Sequence, residues 1–171
     1  MKATAHTKKL TLTALFCALV YIATWIYIPA PVVGNVNLGD AAILLAAWTL
    51  GGPWAAIAAA LGATLADLSA GFVLYAPATF LIKAAMVGTA LLALRFTAKL
   101  PAWLSSVLSA VAAEAVMILG YFLYEFFVLG ILFQFEGYTV AAVANIAFNA
   151  IQATTAAVIA VPLRPLLKKL R

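Results

Sequence analysis

Little in this chain carries charge, and almost nothing in it could bind a metal or form a covalent intermediate. Asp, Glu, Lys and Arg together make up 9% of its 171 residues, against about 25% in an ordinary soluble domain. A single cysteine, Cys17, excludes an internal disulfide, and a single histidine, His6, leaves no Cys/His metal cluster. Cys17 lies among Leu15, Phe16 and Leu19, where packing rather than reactivity is expected. No Gly-x-x-x-x-Gly-Lys-Ser/Thr loop occurs, so ATP hydrolysis by that route is excluded. Neither His-Glu-x-x-His nor Gly-x-Ser-x-Gly is found, and no inverted repeat of the secondary-transporter kind stands out. The expectation is a chain that is not an enzyme and needs no cofactor.

What the chain has in abundance is apolar length. Hydrophobic residues are 67% of it and the mean hydropathy is +1.15, which places it among integral membrane proteins. Backbone groups in lipid must be satisfied within a segment, so the class is all-α. The length leaves room for about six spans of ~20 residues and no soluble domain, giving one membrane domain over residues 1–171.

Breakers divide the chain into Leu10–Ile28, Asp40–Leu50, Trp54–Phe72, Pro77–Phe96, Trp103–Phe127 and Tyr138–Val161. Pro29 and Pro31 end the first, Gly51-Gly52-Pro53 separates the second and third, Gly130 to Gly137 make the fifth turn, and Pro162 and Pro165 stop the sixth. The first run is longer than a signal-peptide core, so an uncleaved span is expected. The second is only about 20 Å long at ~1.5 Å per residue. Part of the preceding loop, Gly34-Asn-Val-Asn-Leu-Gly39, should therefore dip into the bundle as a lid, since irregular backbone at that depth must pack on protein or line a cavity.

Nine of the ten basic residues fall at the N-terminus (Lys2, Lys8, Lys9), between spans four and five (Arg95, Lys99) or at the C-terminus (Arg164, Lys168, Lys169, Arg171). With six spans these places share one side, so both termini are expected in the cytoplasm. The tenth, Lys83, and the acids Asp40, Asp67 and Glu114 lie inside apolar segments, with Glu125 and Glu136 toward the outer face. A charge at membrane depth costs at least ~2.5 kcal/mol and should face a partner or a cavity. Asp67 and Lys83 could form an ion pair between spans three and four, and Asp40 could cap the second helix. Glu114 has no basic partner at its depth, so it is either protonated or in contact with something outside the chain. Asn145, Asn149 and Gln152 recur at i, i+4, i+7 and share one helical stripe. They could bind helices together or line a pocket with Asn37, Tyr75 and Tyr121.

Asn37-Leu-Gly-Asp40 after a polar outer loop, Leu65-Ala-Asp67-Leu68, and Tyr75-Ala-Pro-Ala-Thr79 leading to Lys83 resemble the substrate-binding S components of energy-coupling factor (ECF) vitamin transporters. The similarity is to the branch that takes riboflavin, pyridoxine or hydroxymethylpyrimidine. The resemblance implies a prokaryotic plasma-membrane subunit that binds a water-soluble vitamin or precursor near the outer face. It implies as partners a transmembrane coupling subunit, met through Ala14 and Ala18 on the first span, and two separate ATPases. Substrate-binding candidates are then Asn37, Asp40, Asp67, Tyr75, Lys83, Glu114, Tyr121, Asn145, Asn149 and Gln152, with Trp25 and Tyr124 as further stacking surfaces. Acids outnumber Lys83 in this set, which suits a neutral or cationic heterocycle better than a polyanion. The rival readings are a stand-alone secondary carrier or proton-coupled channel, and a non-transporting scaffold.

Overall fold

The computed structural model describes residues 2–29 and 35–167, with backbone alone for 2–5. Lys168, Lys169, Arg171, Pro31 and Gly34 lie outside the described residues. Six α-helices are present among them: α1 (Lys2–Trp25), α2 (Gly39–Leu50), α3 (Gly52–Ser69), α4 (Ala76–Phe96), α5 (Ala102–Leu123) and α6 (Tyr138–Leu167). Between α1 and α2 sits a small antiparallel hairpin, β1 (Tyr27–Pro29) and β2 (Asn35–Asn37), with Tyr27 opposite Asn37 and Pro29 opposite Asn35. Four helical stretches are long and apolar enough to cross a membrane: His6–Trp25, Ala76–Phe96, Ala102–Leu132 and Tyr138–Leu167.

The short second helix is the centre of the molecule. α2 packs against α1, α3, α4 and α6, and ten of its residues, Gly39 to Leu44 and Ala46 to Thr49, are buried. A 12-residue helix reaches only ~18 Å, so the polar hairpin fills the rest of that layer. Gly51 and Gly52 both take positive φ, 64° and 56°, which lets α2 reverse into α3 with no intervening loop. Pro53 then occupies the first turn of α3, where its missing N–H is no loss. Alanines dominate the inner surface, with Ala46, Ala47, Ala55, Ala58, Ala59, Ala63, Ala90, Ala110, Ala113 and Ala160 at 0–1% exposure. Small side chains let helices approach closely where no water drives them together.

Several boundaries differ from the sequence reading: α1 begins at Lys2 rather than Leu10 and α3 ends at Ser69 rather than Phe72, and three further differences are larger in kind. The end of the first expected span, Tyr27 and Ile28, is strand. The fifth helix does not turn at Gly130 but runs on as a π-helical segment, Tyr124–Leu132, closed by Phe133 N–H donating to Val128 O at 3.0 Å. The sixth passes through Pro162 and Pro165 to Leu167. Tertiary contacts hold that last stretch: Arg164 Nη1 donates to Ser106 Oγ at 2.5 Å and its guanidinium lies 5.4 Å from the Trp48 ring centre.

Candidate functional site

The second strand of the hairpin borders a cleft that is partly open to solvent. Asn35 and Asn37 of β2 form one edge and Asn145, Phe148, Asn149 and Gln152 of α6 the opposite one. Asp67 comes from α3, Phe72 and Tyr75 from the turn into α4, Tyr121 from α5 and Glu125 from the π segment. The α6 amides are therefore brought together on one stripe, as their spacing predicts.

Most polar wall residues are held by a neighbour. Asp67 Oδ2 accepts from Thr79 Oγ1 at 2.5 Å, and Thr79 also contacts the Tyr121 hydroxyl at 3.0 Å. Glu125 Oε1 accepts from the Tyr75 hydroxyl at 3.1 Å, and Asn145 Nδ2 donates to both Glu125 oxygens at 3.0 and 3.1 Å. Asn37 Nδ2 donates to Asn35 Oδ1 at 2.7 Å. The aromatic part is a contiguous set: Tyr75 lies 6.4 Å from Tyr121, 5.9 Å from Tyr124 and 6.3 Å from Phe72. The Tyr124 hydroxyl donates to Leu74 O.

Beneath the cleft lies a buried ion pair. Lys83 Nζ donates to Asp40 Oδ1 at 2.5 Å, with the two side chains 5% and 0% exposed. Lys83 also sits 5.2 Å from the centre of the Tyr121 ring. The other Asp40 oxygen accepts from Gln152 Nε2 at 2.5 Å, and Gln152 Oε1 accepts from the Asn37 backbone N–H at 2.7 Å. One chain of hydrogen bonds thus joins β2, α6, α2 and α4.

Two readings of the charges are corrected by this geometry. Lys83 pairs with Asp40, not with Asp67, whose carboxylate is taken by Thr79. Asp40 does sit in the first turn of α2, where a carboxylate suits the helix dipole, but it makes no side-chain cap; Asn37 Oδ1 instead accepts from Gly39 N–H at 2.9 Å. Of the expected binding residues, Asn37, Asp67, Tyr75, Tyr121, Asn145, Asn149 and Gln152 line the cleft. Asp40 and Lys83 do not; they support it through Gln152. Glu114 is outside the lining, beside a separate groove between α5 and α6 with its carboxyl oxygens buried. Trp25 is outside the lining, 43% exposed. The sequence reading missed Asn35, Phe72 and Phe148 and placed Glu125 only toward the outer face. Asn35 lies two residues from Asn37, hence on the same strand face. Phe148 is three residues past Asn145, hence on the same helical stripe. Among the described residues no three His, Cys, Asp or Glu side chains come together as a metal site.

No curated protein matches the chain. One solved structure, described as "Structure and mechanism of the S component of a bacterial ECF transporter", is similar in fold, with a TM-score of 0.75 and 24% sequence identity. The similarity covers 96% of this chain and 97% of that one. A family model for the S component of the ECF-type riboflavin transporter matches residues 4–169. A match over nearly the whole chain, added to the shared six-helix fold, decides the matter: the chain belongs to the ECF-type riboflavin transporter S component family.

Proposed function

We propose that this substrate-binding membrane subunit captures riboflavin, or a neutral ring of similar polarity, in the cleft beside the hairpin. The observation that carries the reading is the composition of the lining: five side-chain amides, two carboxylates, four aromatic rings and no cation. Amides both donate and accept, so they can satisfy a flat heterocycle that presents both kinds of group at its edge. Phe72, Tyr75, Tyr121 and Phe148 supply the surfaces for its faces. Among the described residues the one buried cation, Lys83, is spent on Asp40. Asp67 and Glu125 therefore oppose a phosphate, which favours the free vitamin over its phosphorylated forms.

The basic residues at the termini and near Arg95 and Lys99 support an orientation with both termini in the cytoplasm and the cleft on the outer side. Ala14 and Ala18, both exposed on α1, form a small-residue face at i and i+4 suited to a helix of a coupling subunit. ATP hydrolysis falls to two separate subunits. The family is one of transporter components rather than enzymes.

The test is to purify the protein in mild detergent, denature it, and identify the released small molecules by mass spectrometry. A flavin at one per protein, or a large rise in melting temperature with added riboflavin and little with its phosphate, is the expected result. An empty protein that no flavin, pyridoxine or pyrimidine stabilises would overturn the reading.

A further inference from the structure

At the ends of α3 and α4 farthest from the cleft lies a groove of different make. The cleft takes Asp67 from the last turn of α3 and Tyr75 from the start of α4. The groove takes Gly52, Pro53 and Ala56 from the opposite end of α3. From α4 it takes Ala84, Gly88, Leu91 and Arg95, whose spacing puts them on one helical stripe. Its floor is small and apolar, and Arg95 stands at its mouth beside Gly52. Arg95 is exposed and makes no hydrogen bond or ion pair among the described residues. Gly88 is the second oddity. A Cβ added there meets nothing within 4 Å among the described residues, whereas at Gly62 and Gly120 it would strike Cys17 O and the Ile82 side chain. A glycine inside a helix weakens it, and no close approach within the chain calls for this one.

We infer that this groove holds one anionic phospholipid, with an acyl chain along Gly88 and the phosphate at Arg95. The inference rests on the membrane reading of the chain and not on the identity of the vitamin. Length and charge select the occupant. The stripe from Ala84 to Arg95 rises about 16 Å, half of a hydrocarbon core of ~30 Å. That is the depth of one leaflet and suits a single acyl chain, whereas a transmembrane helix needs a seat along the whole core. A second copy docked groove to groove in the same membrane brings two unpaired Arg95 guanidiniums together, and like charges repel. A zwitterionic lipid fills the groove as well but carries its own cation to Arg95. A lipid of net negative charge fills it and supplies the partner that Arg95 lacks within the chain. In the proposed orientation this end of the bundle is cytoplasmic, the side on which basic pockets between spans meet anionic headgroups.

The test uses the full chain in mild detergent, read by native mass spectrometry, with dioleoyl phosphatidylglycerol and dioleoyl phosphatidylcholine as the probes. The expected result is one phosphatidylglycerol per protein, retained roughly fivefold better than phosphatidylcholine. Arg95→Gln should bring the two lipids to parity. Lys9→Gln, which removes the same charge from an exposed position on α1, should leave the preference intact. Gly88→Leu puts a side chain where the acyl chain lies and should lower retention of both lipids. Equal retention by the parent, a preference that survives Arg95→Gln or is lost equally in Lys9→Gln, or phosphatidylglycerol held unchanged by Gly88→Leu would overturn the inference. So would a dimer that excludes both lipids. Should Gly88→Leu fail to fold, the Arg95 and Lys9 variants decide, because both side chains are exposed. Groove and cleft share no lining residue, so flavin binding by the same variants reads the proposed substrate separately.

Discussion

Replacing Lys83 by methionine should be severely destabilising, and the reason is Asp40. The Asp40 carboxylate is at 0% exposure with two partners, Lys83 Nζ and Gln152 Nε2, both at 2.5 Å. Two unit charges at 2.5 Å attract by about 7 kcal/mol at an effective dielectric near 20. Desolvating the two ions offsets this by several kcal/mol each, so the pair as a whole contributes little net stability. Removing one partner is different, because the desolvation of the other remains. With Lys83 gone, Asp40 keeps only an amide, and the expected cost is about 3–5 kcal/mol, or a fall of roughly 6–20 °C in Tm. Combining Asp40→Asn with Lys83→Met removes both charges and should recover most of that loss. The two changes should then couple by about 2 kcal/mol or more. The parallel cycle of Asp67→Asn with Lys83→Met should couple much more weakly, since Asp67 bonds to Thr79. Thermal and chemical unfolding of the four purified proteins of each cycle, in one detergent, measures both. A Lys83→Met protein within about 1 kcal/mol of the parent, or stronger coupling to Asp67 than to Asp40, would refute the reasoning.

Two further outcomes follow from the same structure. Asp67→Ala and Asn149→Ala should each weaken flavin binding tenfold or more, at least about 1.4 kcal/mol, read by quenching of flavin fluorescence on titration. Unchanged affinity in both folded variants would remove the cleft from consideration. A Cβ added to Gly62 would meet the Cys17 carbonyl oxygen at 2.5 Å and Val20 Cβ at 2.9 Å, so Gly62→Ala must push α1 from α3 at a cost of about 1–3 kcal/mol. Gly88→Ala meets nothing within 4 Å and should gain roughly 0.5–1 kcal/mol. Melting temperatures that do not order these two variants on opposite sides of the parent would contradict the helix packing.

Helix number was legible because Pro and Gly punctuate nearly every apolar run. Where punctuation misled, a tertiary contact had overridden it. Pro162 and Pro165 look like stops, yet Arg164 reaches across to Ser106 and Trp48 and holds the helix onward. The continuation past Gly130 left no mark either, because a π turn shifts the register by one residue without needing a special residue type. The α6 side of the cleft was legible as one of two readings, since three amides at helical spacing in an apolar span either bond helices together or line a pocket. Partner choice was not. Asp40 and Asp67 are both acids near the same depth, and which one meets Lys83 depends on how deep α2 sits, a property of packing around Ala41, Ala46 and Ala47 that no local pattern records. Phe72 and Phe148 were hidden for the opposite reason: an aromatic in a membrane chain reads as bulk apolar surface until the cleft gives it a side.

The position of Gln152 gives the site a property that neither its lining nor its support has alone. Its carbonyl oxygen holds the Asn37 N–H, which fixes β2, and its amide nitrogen holds Asp40, which fixes Lys83. Asn145 is committed to Glu125 in the same manner, while Asn149, between them on the stripe, is half-buried at the cleft wall. A ligand that bonds to Asn149 and the aromatic wall leaves the hairpin and the ion pair as they are. A ligand that draws the Gln152 carboxamide to itself must free β2 from α6 and strip Asp40 of one of its two partners in the same movement. Binding is therefore expected to divide along this line: groups recognised by Asn149, Asp67 and the tyrosines set affinity, while any group that competes for Gln152 trades part of that affinity for an opened hairpin.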